Sequence, residues 1–108
     1  MGNYANSDLT AARQRLIESM QQINFGRIED LHVVDGEPAF APPPRVIREV
    51  KFGGDNRPRP EAAKADFALK AEVIDLFAQL EEVGNGVITR LEIQRGLPFR
   101  MTFEEKCA

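Results

Sequence analysis

Apolar residues in the first quarter of the chain fall at Leu9, Ala12, Leu16, Ile17, Met20 and Ile23, with Arg13, Gln14, Glu18, Gln21 and Gln22 between them. Residues three and four apart share a helix face, so this spacing predicts one helix with a single apolar stripe. Asn6, Ser7 and Asp8 offer oxygens for its N-terminus, and it should stop near Asn24, where Gly26 can adopt the left-handed cap conformation. The period then changes to two. Leu31 and Val33 alternate with Asp30 and His32, and Asp35-Gly36 follows. That pair suits a two-residue hairpin turn, in which both central residues need positive φ. Pro38 has no N–H for a ladder, so the returning strand is an edge or carries a bulge there. After an extended Pro42-Pro43-Pro44, the segment RVIREVKF at 45–52 reads as a further strand. A second helix should open at Pro60-Glu61, or at Asp66 as cap. Its stripe is Leu69, Val73, Leu76, Phe77, Leu80 and Val83, and Gly84-Asn85-Gly86 ends it.

A second hairpin should turn at Arg95-Gly96. A strict two-residue turn would put Phe99, Met101 and Phe103 opposite Leu91 and Ile93. One extra residue at Leu97–Pro98 would bring all five onto one face. This hairpin resembles the first. Aligned without a gap at a spacing of sixty residues, Gly26, Ile28, Leu31, Gly36 and Pro38 fall on Gly86, Ile88, Leu91, Gly96 and Pro98. Leu9, Ala11 and Leu16 meet Leu69, Ala71 and Leu76. That makes eight identities over residues 9–40, where average usage gives roughly two by chance. The expected organisation is therefore a first αββ(β) repeat over 1–52, a Gly/Pro linker over 53–60 and a second αββ repeat over 61–108. At 108 residues the two should share one core. The fold class is α+β: two αββ repeats packed as a pseudo-two-fold antiparallel sheet with two helices against it.

The motif G-x-hydrophobic-x-x-L-x-[VI]-x-x-G, behind an amphipathic helix, resembles the YezD-like family of small bacterial proteins. The resemblance covers Leu16–Phe40 and Leu76–Phe103, and leaves out Pro42–Pro60. It implies a helix followed by a hairpin, here in two tandem copies. Its marks are turn glycines and core aliphatics, so it brings no catalytic residues. Arg95 stands where the family turn usually has Asp.

Charge narrows the function classes. The net charge is −3, against the basic excess usual for a general polyanion binder. Residues 1–60 balance eight Lys/Arg with eight Asp/Glu, while residues 61–108 set six against nine. A local basic excess lies at Arg45, Arg48, Lys51, Arg57 and Arg59, against Glu49 and Asp55. It reads as a charged edge that blocks sheet-to-sheet association, as a docking surface for an acidic partner or for the protein's own acidic second half, or as a phosphate-backbone track. The lone Cys107 and the lone His32 make neither an internal disulfide nor a zinc site. His32 sits mid-strand, facing away from Leu31 and Val33. Glu81-Glu82 and Glu104-Glu105 read as solvated carboxylates, because adjacent helical residues do not face each other. Gly53-Gly54 lacks the Gly-Lys-Ser/Thr of a phosphate loop. Asn6 stands where a myristoylation signal wants Ser or Thr, Cys107 is misplaced for a prenylation box, and no apolar run reaches the length of a membrane span.

These features lead to an expected non-catalytic protein-interaction module, cytoplasmic, with no cofactor and no metal. Its partner is an unknown protein rather than a membrane. Nucleic-acid binding through Arg45–Arg59 and small-ligand binding between the repeats are the alternatives. A monomer is expected, since the chain already holds an internal pseudo-dimer. Gly26, Gly36, Pro38, Gly86, Gly96 and Pro98 are expected to serve turns and ladder ends.

Overall fold

The structure is a computed structural model that describes residues 9–53 and 70–105. Two helices, α1 (Ala11–Ile23) and α2 (Ala71–Val83), lie on one face of a five-stranded antiparallel sheet. The strands are β1 (Phe25–Val34), β2 (Glu37–Ala39), β3 (Arg45–Arg48), β4 (Gly86–Gln94) and β5 (Leu97–Phe103). The spatial order is β2-β1-β4-β5, and β3 pairs β1 beyond β2 on the same edge. The protein is α+β. One apolar core takes Leu16, Ile17, Met20 and Ile23 from α1, Val73, Leu76, Phe77 and Leu80 from α2, and Ile28, Leu31, Val33, Ile88, Leu91 and Ile93 from the central strands.

Both hairpins use the turn that twisted antiparallel strands favour. Asp35 and Gly36 have φ of 52° and 77°, and Arg95 and Gly96 have 56° and 75°. The central β1–β4 register pairs Gly26 with Ile93 and Val33 with Gly86, Ile28 with Leu91 and Leu31 with Ile88. Shifting every residue by sixty and exchanging strands turns the first of each couple into the second. The turns and helix ends interlock in the same exchanged way. The Gly36 N–H donates to the Gly84 carbonyl at 2.8 Å, and the Gly96 N–H donates to the Asn24 carbonyl at 2.9 Å. The end of α2 thus meets the β1–β2 turn and the end of α1 meets the β4–β5 turn, which gives otherwise unmet carbonyls a donor.

Several expectations shift in detail. Thr10 caps α1, accepting the Arg13 N–H on its hydroxyl at 3.1 Å; Asn6, Ser7 and Asp8 lie outside the described residues. Asn24, not Gly26, ends α1, at φ 64° and ψ −59°. Gly26 serves close packing instead: a Cβ there would lie 2.1 Å from the Ile47 carbonyl oxygen of β3. Lys70 flanks α2 without a side-chain cap bond, while Pro60, Glu61, Asp66 and Leu69 lie outside the described residues. Strand structure over 45–52 covers only Arg45–Arg48. The Ala41–Pro42 peptide is cis. The expected bulge in β5 is present, between the Ile93–Pro98 and Glu92–Arg100 pairs, so the extra residue is Phe99. Met101 and Phe103 consequently pack against the core, but Phe99 is turned out and is 52% exposed. A second irregularity was not anticipated. Asp30, at φ 59°, leaves the ladder between Glu29 and Leu31, so Ile28 and Leu31 both face the core although three residues apart.

Candidate functional site

The helices cover one sheet face, and the other face carries charge in two rows. Register places Arg45, Glu29, Arg90 and Thr102 across β3, β1, β4 and β5 in one row, and Ile47, Arg27, Glu92 and Arg100 in the next. Strand alternation sends all of them away from the core, because their neighbours Ile28, Leu91 and Ile93 point into it. Opposite charges therefore meet both along β1 and across strands. Arg27 Nε donates to Glu29 Oε2 at 2.7 Å, Arg45 lies 3.4 Å from Glu29 Oε1, and Arg100 lies 3.8 Å from Glu92 Oε2. The hydrogen bond from Arg27 holds the Glu29 carboxyl below its ordinary range. Desolvation opposes that shift, and the charges of Arg27, Arg45 and Arg90 add to it. Farther along the same face, His32 stands half-buried between its partners Ala39 and Val87, with Val34 and Val87 exposed nearby.

Three residues of the basic set read from the sequence, Arg45, Arg48 and Lys51, lie among the described residues. Arg45 joins the open face through Glu29. Arg48 pairs with Gly26 on the alternate register. Lys51 lies past the end of β3, bordering a cleft at the end of the sheet, with Glu72, Arg95 and Phe99. Arg57 and Arg59 lie outside the described residues, as does Cys107. The six turn and ladder positions are all described: Gly36 and Gly96 lie within the turns, Pro38 and Pro98 on edge strands, Gly26 against β3, and Gly86 at the start of β4.

Two features escaped the sequence reading. Arg13 lies on the polar side of the predicted stripe but is only 11% exposed. Its guanidinium bridges Glu37 and Glu81, each at 3.0 Å, and sits 5.1 Å from the Phe77 ring centre. Glu37 also accepts the Thr10 hydroxyl at 2.6 Å. This cluster ties α1, β2 and α2 together. The other feature is a groove of about 220 Å³ between α2 and β5, with Leu76, Leu91, Pro98 and Met101 below and Glu72 and Asp75 along the helix side. The outward Phe99 borders it. The only forewarning in sequence was the bulge at Leu97–Pro98, which had to displace one residue of the Phe99, Met101, Phe103 series.

Among the described residues, no group of three or more His, Cys, Asp or Glu is placed to hold a metal ion, and no helix is long and apolar enough to cross a membrane. No family model matches the chain, and no match was found among curated proteins or solved structures.

Proposed function

We propose that this protein is a non-catalytic protein-interaction module built from two αββ units related by an approximate two-fold axis. The observation that carries the interaction reading is the sheet face left uncovered by the helices. Arg27, Arg45 and Arg100 are already paired with Glu29 and Glu92, along β1 and across strands, with exposed Val34 and Val87 alongside. Charges that are paired before contact lose less hydration when a second surface covers them. A protein surface with its own mixed charges fits such a face better than a uniform polyanion does, since Glu29 and Glu92 lie among the arginines. The test is capture from native cytosol with cross-linking, using the whole protein and an Arg90→Glu variant. A specific partner held by the first and lost by the second is expected. Recovery of no specific partner, together with turnover of some metabolite, would refute the reading.

The two-unit reading is supported by the exchange-related β1–β4 register, the matched turn conformations and the reciprocal turn-to-helix-end bonds. It agrees with the resemblance to the YezD-like family, and it predicts a monomer by sedimentation, because the pairing surface of each unit is occupied by the other. One observation favours nucleic acid as a second reading: Arg27, Arg45, Arg90 and Arg100 outnumber Glu29 and Glu92 on the open face. A gel shift at low salt tests it. Absence of retardation at micromolar protein removes it, because even non-specific binders hold on at low salt.

A further inference from the structure

The open face of the sheet holds its two signs of charge at different depths. The side chains of Glu29 and Glu92 are 17% and 28% exposed, whereas those of Arg45 and Arg100 are 71% and 62% exposed. Arg90 is exposed as well. By register, Glu29 has Arg45 and Arg90 across from it and Arg27 along β1, and Glu92 has Arg27 and Arg100 across from it and Arg90 along β4. The carboxylates are thus enclosed, and the guanidiniums form the layer that a partner meets first. A guanidinium carries five N–H donors, so an arginine leaning on Glu29 or Glu92 keeps others for a second carboxylate. The chain outside the described residues brings no acidic excess to this layer. Residues 54–69 set Asp55, Glu61 and Asp66 against Arg57, Arg59 and Lys64, and residues 1–8 hold Asp8 alone.

The four arginines also have a defined spacing. Arg45, Arg27, Arg90 and Arg100 stand on β3, β1, β4 and β5, one on each successive strand. They alternate between two rows two residues apart, so they zigzag across the sheet in steps of about 4.8 Å, with the rows about 6.7 Å apart. Helical positions i, i+3, i+7 and i+10 advance by about 4.5, 10.5 and 15 Å along their axis and alternate from side to side of one stripe. An extended strand, with about 6.7 Å between side chains on one face, does not match those steps. We infer that the open face docks an acidic helix of another protein, laid across the strands with carboxylates at i, i+3, i+7 and i+10 over Arg45, Arg27, Arg90 and Arg100. This rests on the interaction-module reading and names its partner chemistry. Phosphates along a nucleic-acid strand would pass over Glu29 and Glu92 too, whereas a helix can place its carboxylates over the arginines alone. The protein's own α2 exposes Glu72, Asp75, Gln79 and Glu82 at the same spacing, but on the opposite side of the sheet. A second copy docked through α2 would leave its own open face free for a third, a head-to-tail contact that grows without closing.

The probe is a fluorescein-labelled, alanine-based helix of about 18 residues carrying glutamates at i, i+3, i+7 and i+10, followed by anisotropy against the whole protein. A second peptide of the same composition spreads the glutamates around the helix, and circular dichroism verifies that both are helical. Saturable binding of the first is expected, with the second bound roughly tenfold more weakly. Arg45→Gln/Arg90→Gln should also weaken binding roughly tenfold, the worth of two surface ion pairs. Arg15→Gln/Lys70→Gln makes the same change in net charge on the helix side of the sheet and should leave affinity unchanged. A urea melt of each variant verifies folding. Equal binding of the two peptides, equal losses in the two charge variants, or no binding at all would overturn the helix site. A duplex oligonucleotide bound more tightly than the peptide, with the same arginine dependence, would make the occupant a nucleic acid and overturn it. So would self-association abolished by Arg45→Gln/Arg90→Gln, since the occupant would then be a second copy. A cytosolic partner lost on Arg90→Glu, although neither peptide binds, would overturn the acidic helix while leaving the interaction module standing. Absence of both partner and peptide binding would remove the two together.

Discussion

Replacing Gly26 by Ala should do far more damage than the same change at Gly86, although the two positions align. A Cβ on Gly26 would sit 2.1 Å from the Ile47 carbonyl oxygen, 3.0 Å from Arg48 Cα and 3.1 Å from Ile23 Cγ2. A carbon normally approaches a carbonyl oxygen to about 3.3 Å, so β1 and β3 would have to part by on the order of 1 Å. The obstacle is backbone, which cannot swing aside as a side-chain tip can. Parting the strands endangers the ladder from Gly26–Arg48 to Glu29–Arg45. With two to four hydrogen bonds lost at roughly 1 kcal/mol each, the expected destabilisation is about 2–4 kcal/mol. At Gly86 a Cβ meets only Val83 Cγ1 at 3.4 Å. There the smaller backbone entropy of Ala should make the variant neutral or more stable by about 0.5 kcal/mol. Urea unfolding is the assay. With a slope near 1.5 kcal/mol/M, a loss of about 3 kcal/mol lowers the midpoint by roughly 2 M. Hydrogen exchange should show faster exchange over 45–48 before the β1–β4 pairs are affected. Equal midpoints for the two variants would refute the argument that the approach of β3, together with the φ of 151° at Gly26, requires a glycine at position 26.

Gly36→Val and Gly96→Val should each destabilise by roughly 1–2 kcal/mol, because both turns hold φ near 75° and a β-branched residue is strained there. His32→Gln on the open face should change stability much less, and the reverse order in a melt would contradict the hairpin assignment. Arg13→Met should cost about 2 kcal/mol, less than a fully buried pair, because Glu37 and Glu81 remain 33% and 58% exposed and can regain water. The positions sixty residues across from Arg13, Glu37 and Glu81 hold Val73, Leu97 and Gln21, so Arg13→Val/Glu37→Leu/Glu81→Gln should recover most of that loss in thermal unfolding. The Glu29 carboxyl is lowered by folding, so its contribution is complete above the unfolded glutamate value of about 4.3 and fades as pH falls through the lower folded value. Glu29→Gln should flatten the acid limb of stability against pH, and an unchanged limb would show that the Arg27 contact is not formed in solution.

The helices and hairpins were legible because their signals are local. Leu16, Met20, Leu76 and Leu80 keep helical spacing, and Asp35-Gly36 carries its turn chemistry in two adjacent residues. Even the bulge in β5 could be reached by requiring Met101 to face the core beside Leu91. Phe99 departs from the alternation because a bulge removes one residue from it, and only the pairing shows which one. The path of β3 was hidden for another reason. Its pairing along β1 beyond β2 depends on a backbone approach at Gly26 that hydropathy does not record. Arg13 reads as a surface cation on its own helix and becomes buried only when Glu37, Glu81 and Phe77 arrive from elsewhere. The groove at α2 is likewise a relation between elements distant in sequence.

The crossed bonds from Gly36 to Gly84 and from Gly96 to Asn24 bear on how the chain matures during synthesis. When the first αββ segment leaves the ribosome, the Asn24 carbonyl and the inner edge of β1 have no counterpart, since both await strands encoded later. The native sheet is then a late event that closes once β4 and the Arg95-Gly96 turn are free of the exit tunnel. A nascent chain arrested with residue 85 just outside the tunnel should be cut readily by protease. One arrested with residue 105 outside should resist it, in a single step and across both halves at once. Protection of residues 9–48 in the shorter chain would show that the first segment needs no second one to hold its shape.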